Sequence, residues 1–280
     1  MKILLLGIFF VCLNTFTGSS FDAITKYLSI NNYKWYHYYS IGGTAAIILF
    51  ILLFFTNGEI KKHLTLKNKN HFYFLILRGI SFIPVLLIVF YSLKYIPISL
   101  FATLIMTSPF FLLIFAKIIL KEKLNYISWV AILIGFCGVL IVLRPSLSNI
   151  NIFIFLVFFA VLIISFNFTI VSKYSHIATS YGFTFYQYLP ITLFAYIFFI
   201  FDPLVPSLKE FILFSSAGVL MMISMWAWNK AYHIAGKYSS IISPFFFTQI
   251  IWGSLYGLIF FSEELSSMSI MGVIVIVISG

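Results

Sequence analysis

The sequence predicts an all-α integral membrane protein, ten transmembrane helices arranged as two inverted five-helix repeats. Three observations carry that expectation. Apolar residues make up 62% of the 280 and charged residues 9%, with mean hydropathy +1.10; ordinary soluble domains are about 45–50% apolar and about 25% charged. The apolar residues fall into runs close to the roughly 20 helical residues that cross a hydrocarbon core of about 30 Å. One pattern also occurs twice. Tyr91–Pro145 holds two apolar runs, Ile98–Ile119 and Ile127–Leu143, separated by Lys121-Glu122-Lys123. Tyr232–Gly280 repeats that order, with Ser239–Phe261, then Glu263-Glu264-Leu265, then a last apolar run. Laying Glu122 on Glu263 puts Leu124 on Leu265, Thr107 on Thr248 and Tyr91 on Tyr232.

Taken in order, Met1–Ser20 has one lysine, an apolar core and Gly18-Ser19-Ser20, the outline of a cleaved secretory signal. Its polar face continues unbroken into Asp22–Tyr27, so a single helix 1 through that point is expected instead. Helix 2 covers about Tyr38–Thr56 and helix 3 about Phe72–Ser92, with the most basic loop, Asn57–His71, between them. The first patterned stretch supplies helices 4 and 5, joined by a link short enough to make them an antiparallel hairpin. After Arg144-Pro145, helix 6 covers about Ile150–Lys173, helix 7 about Tyr181–Phe201 and helix 8 about Phe211–Ala235; Asp202-Pro203 and Pro206 break the chain between the last two. Ser239–Phe261 is helix 9. Helix 10 starts near Ser267 and is short, which suggests that its natural end is missing.

Five helices per unit, residues 1–145 and 146–280, make the second unit enter the membrane from the opposite side. The charges give the orientation. The net charge is +10, but it lies in short loops and forms no basic face for nucleic acid. With the N-terminus inside, twelve of the 17 lysines and arginines are cytoplasmic, and Lys26, Lys34, Lys94, Arg144 and Lys209 are outside. The two cysteines, Cys12 and Cys137, lie in apolar runs, so neither a disulfide framework nor a metal site is expected.

The first helices of the two units also match: Asp22–Tyr27 lies on Thr169–Tyr174, and Lys26 on Lys173. With Leu93-Lys94-Tyr95-Ile96-Pro97, Thr107-Ser108-Pro109, Leu120–Lys123, Gly135, Gly138 and Arg144-Pro145 in the first half, and Ala231-Tyr232, Ser243-Pro244-Phe245, Trp252, Phe261 and Glu263 in the second, the chain resembles the drug/metabolite transporter superfamily in its EamA-type ten-helix branch. The Asp22-Ala23 and Lys26 string is similar to the branch of S-adenosylmethionine and riboflavin carriers. Where many of those relatives carry an arginine early in helix 2, this chain has His37-Tyr38-Tyr39, which weakens the transfer of an anionic substrate. The resemblance implies a bacterial, multi-pass protein of the cytoplasmic (inner) membrane, monomeric or homodimeric, with no cofactor.

Inverted repeats of secondary transporters place substrate near the midplane between the repeats. At about 1.5 Å per helical residue, Thr107 and Ser108 reach roughly 15 Å into helix 4, and Gln249 reaches a similar depth in helix 9 from the other face. Trp252 lies one turn further. Helix 1 offers Asn14, Thr15 and Thr17, helix 6 Ser165 and Asn167, helix 7 Tyr186 and Gln187, and helix 8 Trp228. Such polar groups face a wet cavity or hold helices together, since lipid offers them no partner. Lys26 and Lys173, near opposite mouths, either draw in a carboxylate and lock each mouth in turn or simply snorkel. Asp22, the one carboxylate within a span, is the candidate for proton coupling or an ion pair with Lys26. Arg78 is a gating candidate, or reaches the cytoplasmic interface. Glu122 and Glu263 read as helix caps. Trp226, Trp228, Asn229 and Lys230 read first as an interfacial belt ending helix 8.

The leading expectation is a carrier for a small polar metabolite (an amino acid, a nucleoside, or an S-adenosylmethionine-like or vitamin-like molecule). A channel or passive scaffold needs a continuous polar pore, whereas polar residues here gather at the middle and the mouths. An enzyme is not expected: H-E-x-x-H, G-x-S-x-G and a carboxylate pair within a span are all missing.

Overall fold

The computed structural model describes residues 2–55, 60–66, 68–122, 126–143, 151–263, 267, 270–272 and 274–275. Among them every regular element is helical. They are α1 (Lys2–Ile30), α2 (Trp35–Phe55), α3 (Ile60–Leu64), α4 (Lys69–Ile80), α5 (Phe82–Tyr95), α6 (Ile98–Ile105), α7 (Ser108–Phe115), α8 (Tyr126–Leu143), α9 (Ile152–Lys173), α10 (Ser180–Phe199), α11 (Leu208–Ala235), α12 (Ser239–Ile242) and α13 (Thr248–Phe261). Eight segments among the described residues are long and apolar enough to cross a membrane. Arg144-Pro145, Lys67, Lys123, Ser148 and most of the stretch expected as helix 10 lie outside the described residues.

Helix 1 is one rod of 29 residues, unbroken at Gly18–Ser20. Two of its hydroxyls are satisfied within the helix, Thr17 by Leu13 O at 2.7 Å and Ser20 by Phe16 O at 2.8 Å, so they need no water at that depth. Three expected helices are each broken. Helix 3 breaks at Ser81, which ends α4, starts α5 and donates its hydroxyl to Arg78 O at 2.7 Å. Helix 4 breaks at Met106-Thr107, where Pro109 removes a donor that the turn would have used and Thr107 Oγ1 bonds Leu104 O. Helix 9 reaches α13 through α12 and a 3₁₀ stretch at Ser243–Phe247, again at a proline.

The two charged links share a stop. Lys121 and Ser262 are both left-handed, with φ of 55° and 51°. The next N–H reaches back six residues in both cases, Glu122 N to Ala116 O at 3.2 Å and Glu263 N to Gly257 O at 3.0 Å.

Packing pairs come in corresponding sets. α1 lies along α11 and α13, and α9 lies along α5 and α7. α2 lies along α11 and α10, and α4 along α10. Where α2 crosses α11, a Cβ on Gly218 would overlap the Gly42 backbone, and one on Gly42 would overlap the Phe214 carbonyl; glycines let membrane helices approach in this way.

Candidate functional site

Polar side chains converge on a cavity of about 140 Å³ between the two halves of the chain. α1 contributes Asn14 and Asp22, α7 Ser108, α10 Gln187, α11 Ser224 and Trp228, and α13 Gln249. Phe82, Phe101, Phe168 and Phe246 complete an aromatic wall. Trp228 packs into that wall, its ring centroid 3.4 Å from Phe168 and 3.8 Å from Phe246, tilted to both. Asn14 Nδ2 donates to the carbonyl and hydroxyl of Ser224 at 2.9 and 2.8 Å, tying α1 to α11. Gln249 Nε2 donates to Asp22 Oδ2 at 3.4 Å.

Six of the sequence candidates are therefore brought together: Asn14, Asp22, Ser108, Gln187, Trp228 and Gln249. The others are placed elsewhere. Trp252 packs edge-on against Phe16 at 5.0 Å and does not line the cavity. Thr17 and Thr107 spend their hydroxyls on their own helices. Tyr186 bonds Leu64 O at 2.6 Å. Asn167 bonds Ser81 and lies, with Arg78, on a larger cavity of about 610 Å³. That space is lined mainly by apolar side chains, Leu77 and Phe166 being well exposed, so it opens sideways toward hydrocarbon.

Two expectations for single residues are corrected. Arg78 does not reach the interface: it is 5% exposed, donates to Asn229 Oδ1 at 3.0 Å and to Phe183 O at 3.4 Å, and lies over the rings of Phe82 and Phe183. Trp228 and Asn229 are correspondingly interior, 4% and 0% exposed, instead of forming an interfacial belt. Asn229 was hidden because its role appears only beside Arg78, which comes from the other half of the chain.

Lys26 pairs with Glu263, Nζ to Oε1 at 2.6 Å, and not with Asp22; it also donates to Ile96 O at 3.2 Å. The same carboxylate takes Ile98 N–H at 2.8 Å, Ser99 N–H at 3.2 Å and the Ser99 hydroxyl at 2.9 Å. Glu263 is thus a cap, as expected, but of the start of α6 in the other half, where the helix dipole favours an anion. It lies two residues beyond its span. Burial pushes its carboxyl upward, but the bonds from Lys26, Ile98 and Ser99 outweigh that and hold it below the ordinary value. Lys173, with Glu122, Ser172 and Lys237, lines a separate cavity of about 410 Å³.

Comparison with known proteins agrees with this architecture. The EamA-like transporter family matches residues 5–144. A riboflavin transporter of Vibrio cholerae is 30% identical over 185 residues, covering 66% of this chain and 61% of its own. An uncharacterized transporter of Helicobacter pylori is 26% identical over 199 residues, covering 68% and 66%. The match thus spans less than two thirds of either relative's length. A crystal structure superposes with a TM-score of 0.73 over 100% of this chain and 94% of that one, at 12% identity, a likeness of fold alone. With a family match over half its length, on a bundle of apolar helices, the chain belongs to the EamA-like transporter family.

Proposed function

We propose that the chain is a secondary transporter that moves a small polar metabolite across the cytoplasmic membrane of a bacterium by alternating access. On this reading residues 1–145 and 146–280 are inverted five-helix units, ten helices in all, with the N-terminus inside. The observation that carries it is the cavity: helices from both halves wall it, and their polar side chains meet there. The corresponding packing pairs and the shared stops after Lys121 and Ser262 support the two-unit arrangement. Labelling of Lys67→Cys from the inner face and Ser148→Cys from the outer face tests the orientation; the reverse pattern overturns it.

Counterflow in proteoliposomes tests transport. Vesicles loaded with unlabelled amino acid, nucleoside, S-adenosylmethionine or riboflavin should take up the labelled compound faster than empty ones for one of the four. A channel gives no such acceleration, and its uptake would replace the carrier reading.

Riboflavin is the specific second reading, favoured by the Vibrio relative together with the aromatic wall. At about 140 Å³ the cavity is smaller than the roughly 300 Å³ at which ligand pockets begin. A flavin therefore requires the helices to part, whereas an amino acid requires little widening.

A further inference from the structure

We propose that Arg78 sets the hydrogen-bonding polarity of the central cavity, so that Gln187 and Trp228 offer N–H donors to a carbonyl or ring-nitrogen acceptor on a planar substrate. This deepens, and rests on, the reading of that cavity as the substrate site. A guanidinium has donors only. Arg78 Nη2 donates to Asn229 Oδ1 at 3.0 Å, so Asn229 turns its amide nitrogen the other way. That nitrogen donates to Thr184 Oγ1 at 3.0 Å and to Gln187 Oε1 at 3.2 Å. Thr184 gives its single proton to Ser180 O at 2.8 Å and so accepts from the amide nitrogen that Arg78 turns toward it.

Gln187, its oxygen engaged, is left with Nε2. That atom is buried and without a partner among the described residues, as is Trp228 Nε1. Both residues line the cavity, 1% and 4% exposed. Buried donors are nearly always satisfied, so two unsatisfied ones on one cavity point to a ligand that brings acceptors. The rings of Phe168 and Phe246, tilted by 38° and 35° to that of Trp228, supply with it an aromatic wall beside them. The chain of donors runs from Arg78 through Asn229 to Gln187, so Arg78 is a positioning residue and Gln187 the group that meets the substrate.

Two small planar molecules distinguish the polarity. 1,3-Dimethyluracil has two carbonyl acceptors and no N–H; indole, of similar size, has one N–H and no lone-pair acceptor. Their binding is read on purified protein from the indole N–H resonances of its five tryptophans, Trp228 being assigned with Trp228→Phe. Dimethyluracil should move the Trp228 resonance and bind about two- to tenfold more tightly than indole. In Asn229→Asp the new carboxylate accepts from Arg78 and from Gln187 Nε2, which turns Gln187 Oε1 toward the cavity; the preference should move toward indole by about threefold or more. Gln187→Glu places an acceptor there directly and should do the same if Asn229→Asp does not fold. Arg78→Lys, also a donor only, should keep the parent order. Equal binding of the two molecules, binding of neither, or an unchanged preference in both acceptor variants overturns the proposal. Counterflow failing for every metabolite while the preference reverses would remove the transport reading and leave the polarity standing.

Discussion

The two mouths carry matched residues in different arrangements. Lys26 and Glu263 meet at 2.6 Å, and the carboxylate grips the start of α6. Their sequence counterparts, Lys173 and Glu122, line a cavity of about 410 Å³, with the Lys173 ammonium 5.6 Å over the Tyr174 ring. These are opposite ends of the bundle. Gly7, near the start of α1, abuts Ala235 and Ile242 on the Lys173 side, while Lys26 lies near the end of the same helix. The backbone stops at the two links are alike, so the asymmetry does not come from how the helices end. On the alternating-access reading, the Lys26–Glu263 contact shuts that mouth.

The largest expected effect is at the shut mouth. Glu263→Ala leaves Lys26 without its anion and α6 without its cap; breaking one side of a buried pair costs about 3–5 kcal/mol. A marked fall in the thermal midpoint of the purified protein is expected, with Ser99→Cys becoming accessible from that side. The exchange Lys26→Glu with Glu263→Lys sharpens the comparison, because it restores the charge pair but not the cap, as an ammonium cannot accept from Ile98 N–H. It should recover only part of the loss; full recovery would reduce Glu263 to a charge partner.

The same carboxylate gives the clamp a pH limit. Its folded value is below the unfolded one, so its stabilisation is complete above the ordinary carboxylate range, about pH 4.3. It is lost as pH falls through the lowered folded value. Closure of this mouth, followed by Ser99→Cys labelling, should be constant between about pH 6 and 8 and give way only in stronger acid. Opening near neutrality would mean that a different group holds the mouth shut.

Between the mouths, Asp22 lies one turn from Lys26 yet is bonded to Gln249. If it carries the coupling proton, Asp22→Asn should abolish uptake driven by a pH gradient and leave exchange intact. Gradient-driven uptake that survives would move coupling elsewhere or make the carrier a facilitator. Gln249→Ala, removing one hydrogen bond at the cavity, should weaken substrate about two- to tenfold, measured as the half-saturation of counterflow.

Much of this frame was legible in the chain. Run lengths placed the helices to within a few residues, because hydrocarbon thickness and backbone satisfaction leave few alternatives. The repeat named Lys26, Lys173, Glu122 and Glu263 without joining Lys26 to Glu263: partner choice depends on α1 packing against α6 and α13, far away in sequence. Depth counting found Ser108 and Gln249, since depth follows from rise per residue. It misplaced Trp252 because depth does not say which neighbour a side chain faces. The break at Ser81 went unread, although Pro84 lacks the N–H that would have reached Ile80 O, where α4 ends.

Trp252 and Trp228 make the smallest and sharpest comparison. Both are indoles near mid-bundle, yet Trp228 lies in the cavity wall between Phe168 and Phe246, and Trp252 is half-buried against Phe16 of α1. Trp228→Ala should weaken substrate by at least as much as Gln249→Ala, because it removes both a stacking surface and an N–H. Trp252→Ala loses only an edge-to-face contact, worth about 0.5–1.5 kcal/mol beyond its area burial. It should lower the thermal midpoint slightly and leave half-saturation within about twofold of the parent, an effect smaller than one hydrogen bond typically contributes. A loss at Trp252 equal to that at Trp228 would show that the substrate path reaches Trp252 and Phe16 of α1.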